Sequence, residues 1–222
     1  MIQTIRMQEK ILGKNEELAR ENRRRFEGNG VYVVTLVGSP GSGKTSLLER
    51  TIAHLKPHLR SGVIGGDVET DRDAQRLGGL GVPVIQIVTG GTCHLNAGMV
   101  QRVLDRLDLA ALDVLFIENV GNLVCPATYF LGEHDRVVVM SVTEGEDKPL
   151  KYPAMFRQAS AVVINKTDLL PYVPASLAEA RQFAVRVNPS LEIFETSCTT
   201  GAGIAVWGNW LRERWRSVRR AG

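Results

Sequence analysis

Cysteine is scarce in this 222-residue chain: there are three, an odd number. Three cysteines make no disulfide framework, so reduced thiols free to act as ligands are expected. No apolar stretch approaches the roughly 18–20 residues that a membrane span needs, and no membrane partner is expected. The opening segment, MIQTIRMQEKILGKNEELARENRRRF, lacks the apolar block and small-residue cleavage site of a secretory signal, which points to a cytoplasmic protein. Charge of one sign is also short. A formal net charge of +3 is too mild to argue for nucleic acid, and much of the basic excess lies in RENRRRF and RERWRSVRR, which read as solvated helix faces. Repeats, low-complexity tracts and long linkers are absent as well. What remains is a chain with 44% hydrophobic and 23% charged residues, enough for one globular domain with a substantial core.

Residues 2–26 place Ile2, Ile5, Ile11, Leu12, Leu18 and Phe26 among many charges. That spacing predicts one amphipathic helix with a narrow apolar stripe, ended by GNG at 28–30. Beyond it, short apolar runs alternate with helical patterns: VYVVTLVG, GVIGG, VPVIQIV, VLFIE, RVVVMSV, AVVINK and EIFETS. Continuous Val/Ile-rich runs suit strands buried on both faces of a mostly parallel sheet, with crossover helices covering it. The helices are expected near 44–59, 95–107, 175–187 and 204–218. The predicted organisation is an N-terminal helical extension over 1–30 and an α/β domain over 31–222.

GSPGSGKT at 38–45 is a complete G-x-x-x-x-G-K-T between strand VYVVTLV and the helical pattern SLLERTIAHL. Strand, loop and helix in that order are the context of a P-loop. Gly38, Gly41 and Gly43 let the backbone turn its N–H groups onto phosphate oxygens, with Pro40, Ser42 and Ser46 in the same cradle. The following helix N-terminus adds its partial positive charge. Lys44 suits the β/γ-phosphates and the Thr45 hydroxyl suits Mg²⁺.

NKTD at 165–168 follows strand AVVI and resembles the guanine-specificity motif of P-loop GTPases. Asp168 would accept from guanine N1–H and the 2-amino group, a donor pair that adenine lacks, so the wrong base leaves it unpaired. Asn165 would meet the N7 side and the Lys166 stem would lie over the ring. In SCTTG at 197–201, the Ser197 and Cys198 N–H groups stand where such GTPases meet guanine O6. Cys198 reads there as a small loop residue and not as a metal ligand.

Two further strand ends carry acids. Asp67 follows GVIG, with Asp71 and Asp73 behind it, and Glu118 ends VLFIE. Asp67 and Glu118, with Thr45, are expected to form the Mg²⁺ and water-positioning shell, and Lys44, Asp67 and Glu118 the catalytic set. Asp71 and Asp73 also read as solvated helix-start acids. Where an ordinary GTPase has Asp-x-x-Gly-Gln, this chain has Glu118-Asn119-Val120-Gly121-Asn122. The water-orienting glutamine is missing and Asn122 is shorter, so slow turnover is expected.

Cys93 and His94 are adjacent in GGTCHLNAG, and Cys125 follows Gly121 in ENVGNLVCP. Thiolate and imidazole suit Ni²⁺ or Zn²⁺. Three ligands are incomplete, and two copies across a two-fold axis could complete the set. A helix beginning near Leu95 would favour the Cys93 thiolate. Packed free cysteines fit the same spacing.

Taken together, the phosphate loop, GDVETDRDA, TGGTCHLNAGMV, ENVGNLVCP, SVTEGEDKPLKYP and NKTD resemble the HypB family, through about residues 31–204. HypB proteins are GTPases that help deliver nickel to [NiFe]-hydrogenase. The related urease accessory family, UreG, carries Cys-Pro-His where this chain has Cys93-His94 adjacent and a further cysteine in NLVCP. The resemblance implies a P-loop fold of the SIMIBI GTPase type. It implies a homodimer whose subunits face each other across GTP, with Cys93, His94 and Cys125 as a Ni²⁺ or Zn²⁺ site at the interface. It also implies a nickel-maturation partner protein and the hydrogenase large subunit as partners. Lys148, in GEDKPLKYP, would reach the facing subunit's nucleotide or seal the interface, or is an exposed loop lysine. Two departures stand out. Residues 1–30 contain neither Cys nor His, so no N-terminal nickel store is expected. Asn96 stands where C-H-L-D would place an aspartate. The competing expectations are a urease-type accessory GTPase, a metal-carrying scaffold in which nucleotide is structural, and a GTPase switch without metal.

Overall fold

The computed structural model describes residues 7–69 and 72–221. Seven strands form one sheet: β1 (Tyr32–Val37), β2 (Ser61–Asp67), β3 (Val84–Val88), β4 (Val114–Glu118), β5 (Asp135–Ser141), β6 (Ala161–Asn165) and β7 (Glu192–Glu195). Their order is β3-β2-β4-β1-β5-β6-β7 and every pairing is parallel. Each strand therefore returns through a crossover, and most of the crossovers are helical. The longer helices are α1 (Met7–Gly28), α2 (Lys44–Leu55), α4 (Ala97–Leu104), α7 (Leu177–Val187) and α8 (Ile204–Ala221). Three short ones, α3 (Arg72–Gly78), α5 (Lys148–Lys151) and α6 (Pro153–Arg157), lack enough turns to leave a periodic signature in the sequence. No helix among the described residues is long and apolar enough to cross a membrane.

The apolar runs are continuous because both sheet faces are covered. On one face Val34, Leu36, Phe116 and Val139 pack against Leu48, Ile52, Trp207 and Leu211 of α2 and α8. On the other, Val33, Leu115 and Ile117 meet Phe26 of α1 and Val100 of α4, and Val138 and Met140 meet Phe156 and Ala184. Each fully buried side chain of this size contributes roughly 1.5–3 kcal/mol. Ile2 and Ile5 lie outside the described residues. The rest of α1 is fastened by polar groups: Asn22 Nδ2 donates to Ala97 O at 2.9 Å and Leu131 O at 3.0 Å. Within the basic run of α1, Arg25 pairs with Asp105 at 2.6 Å, an exposed contact of small energetic weight.

Two starts explain where the helices begin. Gly43, at φ 96°, is the residue before α2, and a Cβ there would run into the Asn165 amide. Only glycine turns the chain tightly enough for the phosphate loop to enter α2. Asn96 caps α4 by accepting from Met99 N, so α4 starts at Ala97, two residues later than expected. The register sets Leu36 beside Glu118 and Ser141 beside Asn165. The loops after β1, β4 and β6 thus leave the same end of the sheet together.

Candidate functional site

At that end, the phosphate loop and the ends of β2 and β4 enclose a cavity of about 520 Å³ lined by Lys44, Thr45, Asp67, Asp73, Arg76 and Glu118. Lys44 Nζ donates to the carbonyls of Gly38 and Ser39 at 3.2 and 3.3 Å. Thr45 Oγ1 donates to Glu118 Oε1 at 2.8 Å. Burial is the main cause of two opposed shifts: it pulls Lys44 below the usual ammonium range and pushes Glu118 up to about 7. A buried cation short of counter-charge and a buried acid that keeps its proton until a cation replaces it suit a polyanion and a hard cation that arrive together. The Ser42 hydroxyl is buried without a partner. Asp67 Oδ1 accepts from Glu69 N at 3.0 Å. Thr45, Asp67 and Glu118 line this cavity with hard oxygen atoms, the donor type that Mg²⁺ prefers.

Asn165, Lys166, Asp168, Ser197 and Cys198 meet at the neighbouring strand ends. Asn165 Nδ2 donates to Ser42 O at 3.2 Å, while its Oδ1 accepts from Thr196 Oγ1 at 3.1 Å. The Cys198 thiol donates to that same oxygen at 3.4 Å, and burial pushes the thiol up. Ser197 Oγ donates to Asp168 Oδ1 at 2.6 Å. Lys166 is the one non-glycine residue with positive φ among the described residues, at 63°. Its Nζ donates to Gly41 O at 2.7 Å, drawing the lysine stem across the loop. Such a local conformation persists where the surroundings impose it, commonly at binding sites.

The soft donors form a separate cluster. Donor atoms of Cys93, His94 and Cys125 all lie within 4.8 Å of one another. Bonds of 2.0–2.3 Å to one tetrahedral ion would set donors about 3.3–3.8 Å apart, a small closure from here. Tyr129 lies against the His94 ring at 4.1 Å. Cys125 opens a 3-10 turn, Cys125–Thr128, held from below by Arg136, which donates to Pro126 O and Tyr129 O at 3.3 and 2.9 Å. One expectation needs correction: Cys93 stands four residues ahead of α4. Its thiol is pushed up, chiefly by the hydrogen bond with Cys125 and then by burial.

Between the clusters runs Asn119–Cys125. Asn119 Oδ1 accepts from Leu95 N at 2.9 Å. Gly121 packs so closely on Pro40 that a Cβ would meet its ring at 2.9 Å. Asn122 bridges Gly38 through its backbone.

Lys148 Nζ lies 3.5 Å from Ser39 Oγ of the same chain. Asp73 pairs with Arg76 at 3.2 Å, and Asp71 lies outside the described residues. Nothing in the sequence marks Arg76, Arg136 or Tyr129 as part of either cluster. Arg76 also binds Glu49 and Ser46, at 2.7 and 3.3 Å. No local pattern marks an arginine or tyrosine whose partners are remote in the chain.

Fold and cavity together define a P-loop nucleotide-binding domain. The family described as "CobW/HypB/UreG, nucleotide-binding domain" matches residues 32–195. A curated relative, "Hydrogenase maturation factor HypB" of Azotobacter vinelandii, is 52% identical over 97% of this chain and 71% of its own. Among solved structures, HypB from Helicobacter pylori in complex with nickel is 39% identical with a TM-score of 0.88, covering 92% of this chain and 96% of that one. The signal recognition particle receptor FtsY of Elizabethkingia anophelis, 17% identical with a TM-score of 0.52 over 81% of this chain and 66% of that one, shares the fold. The chain belongs to the CobW/HypB/UreG family and, within it, to HypB.

Proposed function

We propose that this protein is a GTP-hydrolysing metallochaperone that delivers nickel during [NiFe]-hydrogenase maturation. One observation carries the reading: the segment from Glu118 to Cys125 touches the phosphate loop at Gly121 and ends in a soft-donor cluster with Cys93 and His94. Asp168 and Asn165 select guanine, with the Ser197 and Cys198 loop closing on its O6 edge. Lys44 and the cradle from Gly38 to Ser46 hold the phosphates. Mg²⁺, held by Thr45, Asp67 and Glu118, would neutralise charge developing on the phosphates. With no glutamine to orient water, turnover is slow, as suits a timed switch.

Cys93, His94 and Cys125 take Ni²⁺, with Zn²⁺ a chemically similar occupant. Three donors per chain leave room for donors from a second copy, so a GTP-bound homodimer would complete the site. Lys148, already beside the phosphate loop, would reach across that interface. Residues 31–222 act as the GTPase domain. Within the extension over 1–30, α1 packs on that domain through Asn22 and Phe26, and its exposed face, with Lys14, Glu17 and Arg24, would meet a nickel-maturation partner protein on the way to the hydrogenase large subunit.

The test is the solution mass with GDP and with a non-hydrolysable GTP analogue, each with and without Ni²⁺. A dimer that needs the analogue and binds Ni²⁺ supports the proposal. A monomer in all four conditions that binds no Ni²⁺ contradicts it.

A further inference from the structure

At Asn122, where a GTPase of the ordinary pattern orients its attacking water, the side-chain amide is committed elsewhere. Its Nδ2 donates to Cys93 O at 3.3 Å, and its Oδ1 accepts from Val124 N at 2.8 Å. Its backbone pairs with Gly38, the first residue of the phosphate loop. One residue therefore joins three segments: the phosphate loop, the loop that carries Cys93 and His94, and the segment leading into Cys125. Asn119 stands behind it as a buried support, its Oδ1 holding both Leu95 N and Val120 N at 2.9 Å. Gly121, between the two asparagines, rests on Pro40. The phosphate loop thus touches this segment at Gly38 and Pro40, and the segment in turn bonds to the Cys93 carbonyl and to the backbone leading into Cys125.

We infer that Asn122 is a positioning residue that makes nickel affinity depend on the bound nucleotide, its amide clasping the two cysteine-bearing loops while its backbone follows the phosphate loop. The inference rests on the proposed metallochaperone reading and deepens it. Coupling between two sites needs an element whose arrangement both ligands bias. Among the described residues, Asn122 is held by the phosphate loop on one side and by the Cys93 carbonyl on the other. Neither contact of its amide reaches the nucleotide cavity. Side-chain substitution leaves the backbone bridge to Gly38 available, so nucleotide affinity is expected to stay unchanged.

Asn122→Asp keeps the acceptor for Val124 N and sets an oxygen against the Cys93 carbonyl, where no hydrogen bond forms. Asn122→Ser can still accept from Val124 N, two residues on, but is too short to reach Cys93. The experiment titrates Ni²⁺ into full-length wild type and both variants, loaded with Mg²⁺–GDP or with Mg²⁺ and a non-hydrolysable GTP analogue. The readout is the thiolate-to-nickel charge-transfer absorption, against a competing chelator. Melting temperature and GDP affinity are measured alongside. In wild type the two nucleotide states are expected to differ in Ni²⁺ affinity by roughly fivefold or more. In both variants the ratio should fall to about one, with melting temperature and GDP affinity unchanged. A wild-type ratio of one overturns the coupled reading and this inference together. A wild-type ratio that persists in both variants overturns this inference alone. A loss of melting temperature in both variants makes Asn122 a structural residue and also overturns it.

Discussion

The phosphate side and the thiol side of the sheet end are built by different means. Lys44, Thr45 and Glu118 are nearly buried; the first two lie on one contiguous stretch joining β1 to α2, and Glu118, at the end of β4, is bonded to it through Thr45. Cys93, His94 and Cys125 are half-buried, sit on two loops about thirty residues apart, and are joined by the amide groups of Asn119 and Asn122, which lie on the Cys125 loop and bond to the backbone of the other. A contiguous loop carries its geometry within its own φ and ψ angles. A cluster assembled from two loops takes its geometry from whatever joins them, and so can be adjusted from a distance. On the proposed reading, fixed charge chemistry and adjustable cargo binding would fall to the two sides accordingly.

The largest effect expected is one that separates the sides. Replacing Cys93 and Cys125 together with serine should lower Ni²⁺ affinity beyond the 10- to 100-fold typical of outer-shell changes. GDP affinity should be unaltered. Isothermal titration of both ligands checks this, and a nucleotide affinity that falls in parallel would mean that the sides are one structural unit.

Next comes an effect confined to the phosphate side. Burial raises the Glu118 carboxyl from 4.5 to about 7 in the free protein, so the folded chain holds this proton more tightly than the unfolded chain. The associated stability is fully present below pH 4.5 and is lost as pH rises through about 7. At one pKa unit per 1.36 kcal/mol, that amounts to about 3 kcal/mol. Glu118→Gln keeps an acceptor for Thr45 and removes the slope. Urea unfolding between pH 5 and 8 should find the nucleotide-free wild type losing stability relative to the variant as pH rises.

A smaller effect addresses the junction. Gly121→Ala puts a methyl against the Pro40 ring. A strain of 1–1.5 kcal/mol is within the range of such overpacking and corresponds to about a tenfold loss of nucleotide affinity. A fluorescent nucleotide titration measures it. Unchanged affinity would show that the phosphate loop yields freely and transmits nothing to the segment.

The two sides also differ in how much of them could be read in advance. GSPGSGKT and NKTD were legible because each is a short run between a strand and a helix, and the Val/Ile runs announced the buried parallel sheet. The direction of the Cys93 shift was not legible. It depends on the Cys125 thiol, which no local reading places beside it. Asn96 drew attention as a missing aspartate near His94, yet its side chain caps α4. In the sequence Asn122 reads only as a short replacement for glutamine. Its amide faces the Cys93 carbonyl, a contact created by the sheet order. Arg136 was invisible for a similar reason: its targets are carbonyls of the turn after Cys125.

The central claim is that the two sides exchange free energy, and binding coupling is reciprocal. The direct measurement is the affinity of the protein for a fluorescent, non-hydrolysable GTP analogue in excess Mg²⁺, with and without saturating Ni²⁺. The Cys93→Ser/Cys125→Ser variant serves as the control for Ni²⁺ on the nucleotide itself. The account predicts a shift of roughly fivefold or more in wild type and none in the variant. An affinity that ignores Ni²⁺ in both proteins would contradict it.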